Sequence, residues 1–290
     1  MDAVLLGCLA GICFGAVNVS VRIGLRRCPD AVLAGAVSAF VAVVETGLVA
    51  LAFVGPAAID AGELWPFLLT GLIVPGASQI LWIKSIQDAG ASRSAIVMGT
   101  SPLLAALLAV VLLGEPFGLP LLLGTLLVVI GGIAIAREGS RPPGFRVVGL
   151  VFAFGVAVCL AARDNVARFV LVDRDVPSLA AAAALIAGAC IFLLAYVVAV
   201  RWGRADLSTV RSAVLPFVPT GLLIGLVYIT LLSALGRGPV TVVAPLNATS
   251  ALWTVVFSAL VIRRQELVGP RLALSAVLVV AGGALIAATR

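Results

Sequence analysis

The chain predicts an all-α integral membrane fold, with ten transmembrane helices arranged as two inverted five-helix repeats. Three observations carry that expectation. Hydrophobic residues make up 62% of the 290 and charged residues 11%; a water-soluble domain of that balance would lack a polar surface. The apolar residues come in runs of about 20, the length that crosses a bilayer. Leu119–Ala136 and Ala181–Leu194 lack the polar alternation of a barrel strand, and backbone groups in lipid must then be satisfied within helices. Finally, the halves repeat. Pro66–Phe67–Leu68–Leu69–Thr70–Gly71–Leu72 returns as Pro216–Phe217–Val218–Pro219–Thr220–Gly221–Leu222. Glu115, Gly118, Gly131 and Gly132 return 151 residues later as Glu266, Gly269, Gly282 and Gly283.

Taken in order, the first run (3–22) carries Gly7, Gly11 and Gly15 at intervals of four, a small-residue face for close helix contact. The second (31–54) holds a lone carboxylate, Glu45. The third (64–85) is interrupted by Pro75–Gly76 and then presents Ser78, Gln79, Trp82 and Lys84. The fourth (93–113) contains Ser101–Pro102, and the fifth (119–136) carries no charge. A polar linker, 137–146, follows. The sixth run (147–168) ends in Arg163, Asp164, Asn165 and Arg168. The seventh (178–201) is apolar, and the eighth (213–235) holds Tyr228 and Thr230. The ninth (240–262) places Asn247 after Pro245, with Thr249, Ser250 and Trp253 beyond. The tenth is 270–288.

The linker falls after five runs. The expected units are therefore a first repeat over 1–136 and a second over 147–290. Five is odd, so the copies sit upside down relative to each other, an arrangement common in secondary transporters.

Basic residues give an orientation. Of the 19 Lys and Arg, 14 fall on the side of loops 1–2, 3–4, 5–6, 7–8 and 9–10. The five on the other side are Arg163, Arg168, Arg174, Arg237 and Arg290. The positive-inside bias puts the richer face in the cytoplasm and both termini outside. The expected location is a bacterial plasma membrane, the inner one in a Gram-negative cell, crossed many times.

Composition excludes several activities. The net charge of +6 is scattered at run ends rather than gathered into a nucleic-acid surface. There is no histidine, hence no histidine metal site or proton relay. A phosphate-binding loop of the Walker type would need Lys84 preceded by glycine, and Ile83 stands there. The five cysteines show no CxxC spacing and read as small apolar fillers. No paired carboxylates or nucleophile–base set lies within a run, so an enzyme is not expected. Nor is a cofactor or a metal.

Leu113–Gly114–Glu115–Pro116 after the fourth run, and a Gly-Gly pair near the end of the fifth and tenth, resemble the drug/metabolite transporter superfamily, in its EamA-type branch. The resemblance covers almost the whole chain. Two departures stand out: Val261–Ile262–Arg263–Arg264–Gln265–Glu266 replaces the second Leu-Gly-Glu turn, and Phe14–Gly15 stands where a Trp-Gly often marks the first span. The resemblance implies export or exchange of small metabolites, often amino acids or their analogues, without ATP. The carboxylate that small multidrug relatives carry in their first span has no counterpart between Ala3 and Val21.

Polar residues inside the runs are the candidates for chemistry, because a charge at the bilayer centre costs roughly 2.5–3.5 kcal/mol on insertion scales. Glu45 is a candidate for binding a substrate amine or a proton; a carboxylate hydrogen-bonded to a neighbouring helix is the alternative. Gln79 and Trp82 are three apart and share a helical face. With Tyr228, Asn247 and Trp253 they form the expected solute-binding set: rings that stack and amides that orient. Trp82 also suits the interfacial belt near Lys84. Asp164 and Arg168, like Asn18 and Arg22, are four apart at the end of the first run of each repeat. Together with Arg163 they are expected as gating or coupling residues on opposite faces, with headgroup anchoring as the other role. The expected partners are a small solute, protons as the candidate coupled ion, and membrane lipid. A monomer suffices, and a dimer stays open. A secondary transporter is the leading reading; an uncoupled facilitator or channel-like permease is the second.

Overall fold

The structure is a computed structural model that describes residues 2–28, 30–89, 97–116, 118–136, 146–201 and 207–262, together with 274, 277, 278, 281, 282 and 285. No strand occurs among them.

In the first half, α1 (Ala3–Arg27) and α2 (Ala31–Phe53) are unbroken. Asp30 starts α2 by accepting the N–H groups of Val32 and Leu33 on its carboxylate, at 3.2 and 3.0 Å. The third run comes in three pieces: α3 (Trp65–Gly71), a π-helical turn over Leu72–Ala77, and α4 (Ser78–Ala89). The cause is local. Pro75 has no N–H for the ladder, and Val74 leaves helical geometry at φ −136°, ψ 112°. After it, α5 (Ser101–Leu113) stops at Gly114, which turns left-handed at φ 64°, and α6 is Leu119–Ala136. The second half supplies α7 (Val148–Asp173), α8 (Ser178–Arg201) and α9 (Leu207–Arg237). Two short helices follow, α10 (Val240–Ala248) and α11 (Ser250–Ile262).

Six stretches among the described residues are long and apolar enough to cross a membrane, and Ser101–Leu113 and Leu119–Gly131 are shorter apolar helices. The expected tenth run lies outside the described residues except at six positions, all helical. The start of the fourth run and nearly all of the linker also lie outside them. The ninth run is two helices, with the break a few residues beyond the proline. Pro245 cannot donate into the ladder, and the chain tightens four residues later at Thr249. There the backbone N–H and hydroxyl of Thr249 both donate to the Leu246 carbonyl, at 3.2 and 2.7 Å, and Leu252 N–H donates to the Thr249 carbonyl at 2.9 Å. Thr100, ahead of α5, repeats the pattern: its N–H and hydroxyl donate to the Val97 carbonyl at 3.1 and 2.7 Å, and Leu103 N–H donates to the Thr100 carbonyl at 3.0 Å. The internal repeat therefore extends to individual hydrogen bonds.

Packing crosses between the repeats. From the first repeat, α1 lies on α9, α10 and α11; from the second, α7 lies on α4 and α5. Small residues permit this. A Cβ on Gly11 would come within 2.7 Å of the Thr249 hydroxyl, and one on Gly7 within 3.3 Å of Leu246 Cβ. On α7 the buried small residues are Ala153, Ala157 and Ala161, each fully buried. Where two helices share an apolar solvent, such close fit is what holds them together. Leu185 and Ile186 of α8 meet Leu231, Leu232 and Leu235 of α9 in the common core. Leu48, Leu107, Val111 and Leu215 face outward, where a bilayer would cover them.

Candidate functional site

Deep in α7, Arg163 and Asp164 are both buried, at 6% and 5% exposure. The Arg163 guanidinium folds back along the helix. Its Nε and Nη2 donate to Asp164 Oδ1 at 2.9 and 2.7 Å, and Nη1 donates to the Tyr228 hydroxyl of α9 at 3.3 Å. The guanidinium also sits 5.6 Å from the Tyr228 ring centroid. Pairing and ring contact offset the cost of a charge at this depth.

Asp164 and Arg168, four apart and so within reach of each other on a helix, do not pair; Asp164 takes its neighbour Arg163 instead. Arg168 lies one turn nearer the membrane face. Its Nη1 donates to the Leu235 carbonyl at 2.8 Å, and its Nε stands 4.0 Å from Glu115. Glu115 comes from the loop between α5 and α6. Its two carboxylate oxygens accept the N–H groups of Val240 and Thr241, at 2.8 and 3.0 Å, so a residue of the first repeat caps α10 of the second. The sequence marked Glu115 only as a turn and a repeated position. Its recurrence as Glu266 was the signal that it did more.

Two asparagines tie the repeats together. Asn165 donates to the carbonyls of Ala105 in α5 and Ala161 in its own helix, at 3.0 and 2.9 Å. Near the end of α1, Asn18 donates to Thr254 Oγ1 of α11 at 3.0 Å. Two residues on, the hydroxyls of Ser20 and Thr220 share a hydrogen bond of 2.8 Å. The side chain of Arg22 lies outside the described residues.

The six expected solute residues occupy several interfaces. Glu45 of α2 rests on Gly225 of α9, whose missing side chain leaves room for the carboxylate. Glu45 Oε2 is buried without a hydrogen-bond partner among the described residues. Gln79 of α4 packs its amide on Gly35 of α2, and Trp82 is half-buried one turn on. Tyr228 is held by Arg163. The side-chain oxygen of Asn247 is also buried and unpartnered among the described residues. Trp253 backs onto Gly15 of α1 and stacks on Phe257, with ring centroids 6.0 Å apart. A cavity of about 370 Å³ lies between α1, α9 and α11; Phe257 lines it, and none of the six does.

On the face where α3 begins, Arg174 bonds Glu63 at 2.8 Å and covers the Trp65 ring at 5.8 Å.

Comparison with known proteins places this arrangement. An uncharacterized protein of Pseudomonas aeruginosa is 34% identical over 149 residues, covering 48% of this chain and 50% of that one. The match thus spans about half the length of that relative. A solved crystal structure, described only as that of a protein, superposes with a TM-score of 0.80 over 99% of this chain and 97% of its own. Its identity is 18%, so the likeness speaks for the fold alone. The family model of EamA-like transporters matches twice, over residues 1–137 and 147–288. A two-fold match over nearly the whole chain, on helices that pack crosswise between the halves, means that the chain belongs to the EamA-like transporter family, within the drug/metabolite transporter superfamily.

Proposed function

We propose that this chain is a secondary transporter, an exporter or exchanger of small organic metabolites such as amino acids or related amphiphilic compounds, working by alternating access without ATP. Family membership suggests the coarser statement, a membrane transporter of small solutes. The observation that carries the finer one is the reciprocal packing: α1 lies on α9, α10 and α11, while α7 lies on α4 and α5. Rocking one set against the other opens one face as it closes the opposite one. Breaks at Val74–Pro75, Thr100 and Thr249 supply the bends.

In this reading Glu45, Gln79, Trp82, Tyr228, Asn247 and Trp253 contact the solute along its path. Glu45 and Asn247 each hold a buried oxygen without a partner among the described residues, which supports them as groups awaiting a donor such as an ammonium. Arg163, Asp164 and Arg168 act as gate or coupling residues on one face, Asn18 and Arg22 on the other. The membrane is a bacterial plasma membrane, with both termini outside.

The test is a metabolite panel screened by thermal shift on the purified protein, followed by binding titrations of the best hit. Trp82→Ala and Asn247→Ala are each expected to weaken that binding by roughly 5- to 150-fold, the loss of one stacking or hydrogen-bonding contact. Wild-type affinity in both variants would put the solute elsewhere.

A further inference from the structure

The 370 Å³ cavity between α1, α9 and α11 is large enough for a ligand, and its chemistry is lopsided. Ala16, Val19 and Ile23 form its floor on α1, and Leu215, Phe257 and Val261 form its sides. Leu215 is 78% exposed and Val261 60%. In a membrane those two side chains touch lipid, so the cavity is a crevice that opens sideways into the bilayer. Two lining residues have polar side chains, Ser20 and Arg27. Ser20 is already bonded to Thr220. Arg27, the last residue of α1, is the single charge.

The second repeat shows what is unusual about Arg27. Its counterpart 147 residues on is Arg174, which Glu63 pairs and Trp65 covers. The position matching Glu63, 150 residues on, is Ala213, which is fully buried. Arg27 therefore has no carboxylate partner among the described residues, and it is exposed, as is Arg26 beside it. An apolar slot open to lipid, ending in an arginine with no carboxylate partner among the described residues, is complementary to an anionic amphiphile.

We propose that this crevice is a binding site for an anionic phospholipid, with one acyl chain between α9 and α11 and the phosphate on Arg27. The lining is too apolar for a hydrophilic solute, and lipid is what the open side meets. The basic excess on this face puts the site in the cytoplasmic leaflet, where anionic headgroups meet clustered arginines. The proposal rests on the transport reading only for that choice of leaflet.

The experiment is a lipid titration of the full-length protein in nonionic detergent, read by native mass spectrometry. Phosphatidylglycerol, phosphatidylcholine with the same chains, and dodecanoate are the three ligands. Wild type is expected to prefer phosphatidylglycerol over phosphatidylcholine by about fivefold or more. Arg27→Gln should remove that preference, Arg27→Lys should keep most of it, and Ala16→Leu should weaken both lipids by filling the crevice. Equal affinity for the two lipids in wild type overturns the proposal. So does an unchanged preference in Arg27→Gln, or an equal loss in Arg27→Lys. Dodecanoate that matches phosphatidylglycerol and displaces it also overturns it, because the site then takes a free amphiphile.

Discussion

Asn165 donates its side-chain amide to the backbone carbonyl of Ala105 at 3.0 Å, and so fastens α7 of the second repeat to α5 of the first. The bond has a mirror in the other half, where Asn18 of α1 reaches Thr254 of α11 at the same distance. Each repeat thus sends its first helix to hold the fourth run of its partner. Interhelical hydrogen bonds of this kind in membranes contribute about 0.6 kcal/mol on average, up to about 2. Asn18→Ala and Asn165→Ala are each expected to lower stability by about 1 kcal/mol, and the double variant by about the sum, since the sites share no partner. Thermal unfolding in detergent reads this directly. A double variant as stable as wild type would show that the asparagines do not hold the repeats together.

The Arg163–Asp164 pair predicts a steeper effect. Asp164→Asn leaves a buried guanidinium facing only Tyr228, and breaking a buried pair from one side costs about 3–5 kcal/mol. Removing both charges, in Arg163→Met with Asp164→Leu, should recover much of that loss. The comparison is the monodisperse yield and melting temperature of the two variants. A double variant worse than the single one would mean that the pair stabilises beyond mutual neutralisation.

Much of this architecture was legible in the sequence, because bilayer spans need long apolar runs and a duplicated chain repeats its punctuation. Pro75 marked the break in the third run to within a residue of Val74, the one position there with non-helical angles. Pro245 marked the ninth run less well: the helix gave way four residues later, where the Thr249 hydroxyl could take the Leu246 carbonyl. The partners of polar side chains were less legible. Helical spacing paired Asp164 with Arg168, but a long guanidinium can fold back on its neighbour when Tyr228, 65 residues away, encloses it. The capping of α10 by Glu115, 125 residues upstream, likewise depends on how helices cross. Spacing along one helix carries no information about that.

Orientation gives a prediction of its own. With 14 of 19 basic residues on one side, a fluorescent protein fused after Arg290 should stay dark and an alkaline phosphatase fusion at the same place should be active. A bright fluorescent fusion would reverse the assignment.

Glu45 predicts the coupling. Its carboxylate lies on Gly225 with one oxygen unpartnered among the described residues, and no histidine is present to share proton transfer. In proteoliposomes, Glu45→Gln should abolish acceleration by an imposed pH gradient while sparing solute exchange at equal pH. Unchanged pH dependence would remove Glu45 from the mechanism and make Asp164 the next residue to test.

Alternating access is tested most directly by counterflow. Proteoliposomes holding the purified protein are preloaded with unlabelled solute, and entry of the same solute in labelled form is followed without ATP. A carrier that exposes its site to one face at a time predicts saturable entry, faster into preloaded vesicles than into empty ones. Entry that rises linearly with concentration and ignores the preloaded solute would contradict it, and would make this protein a facilitating pore.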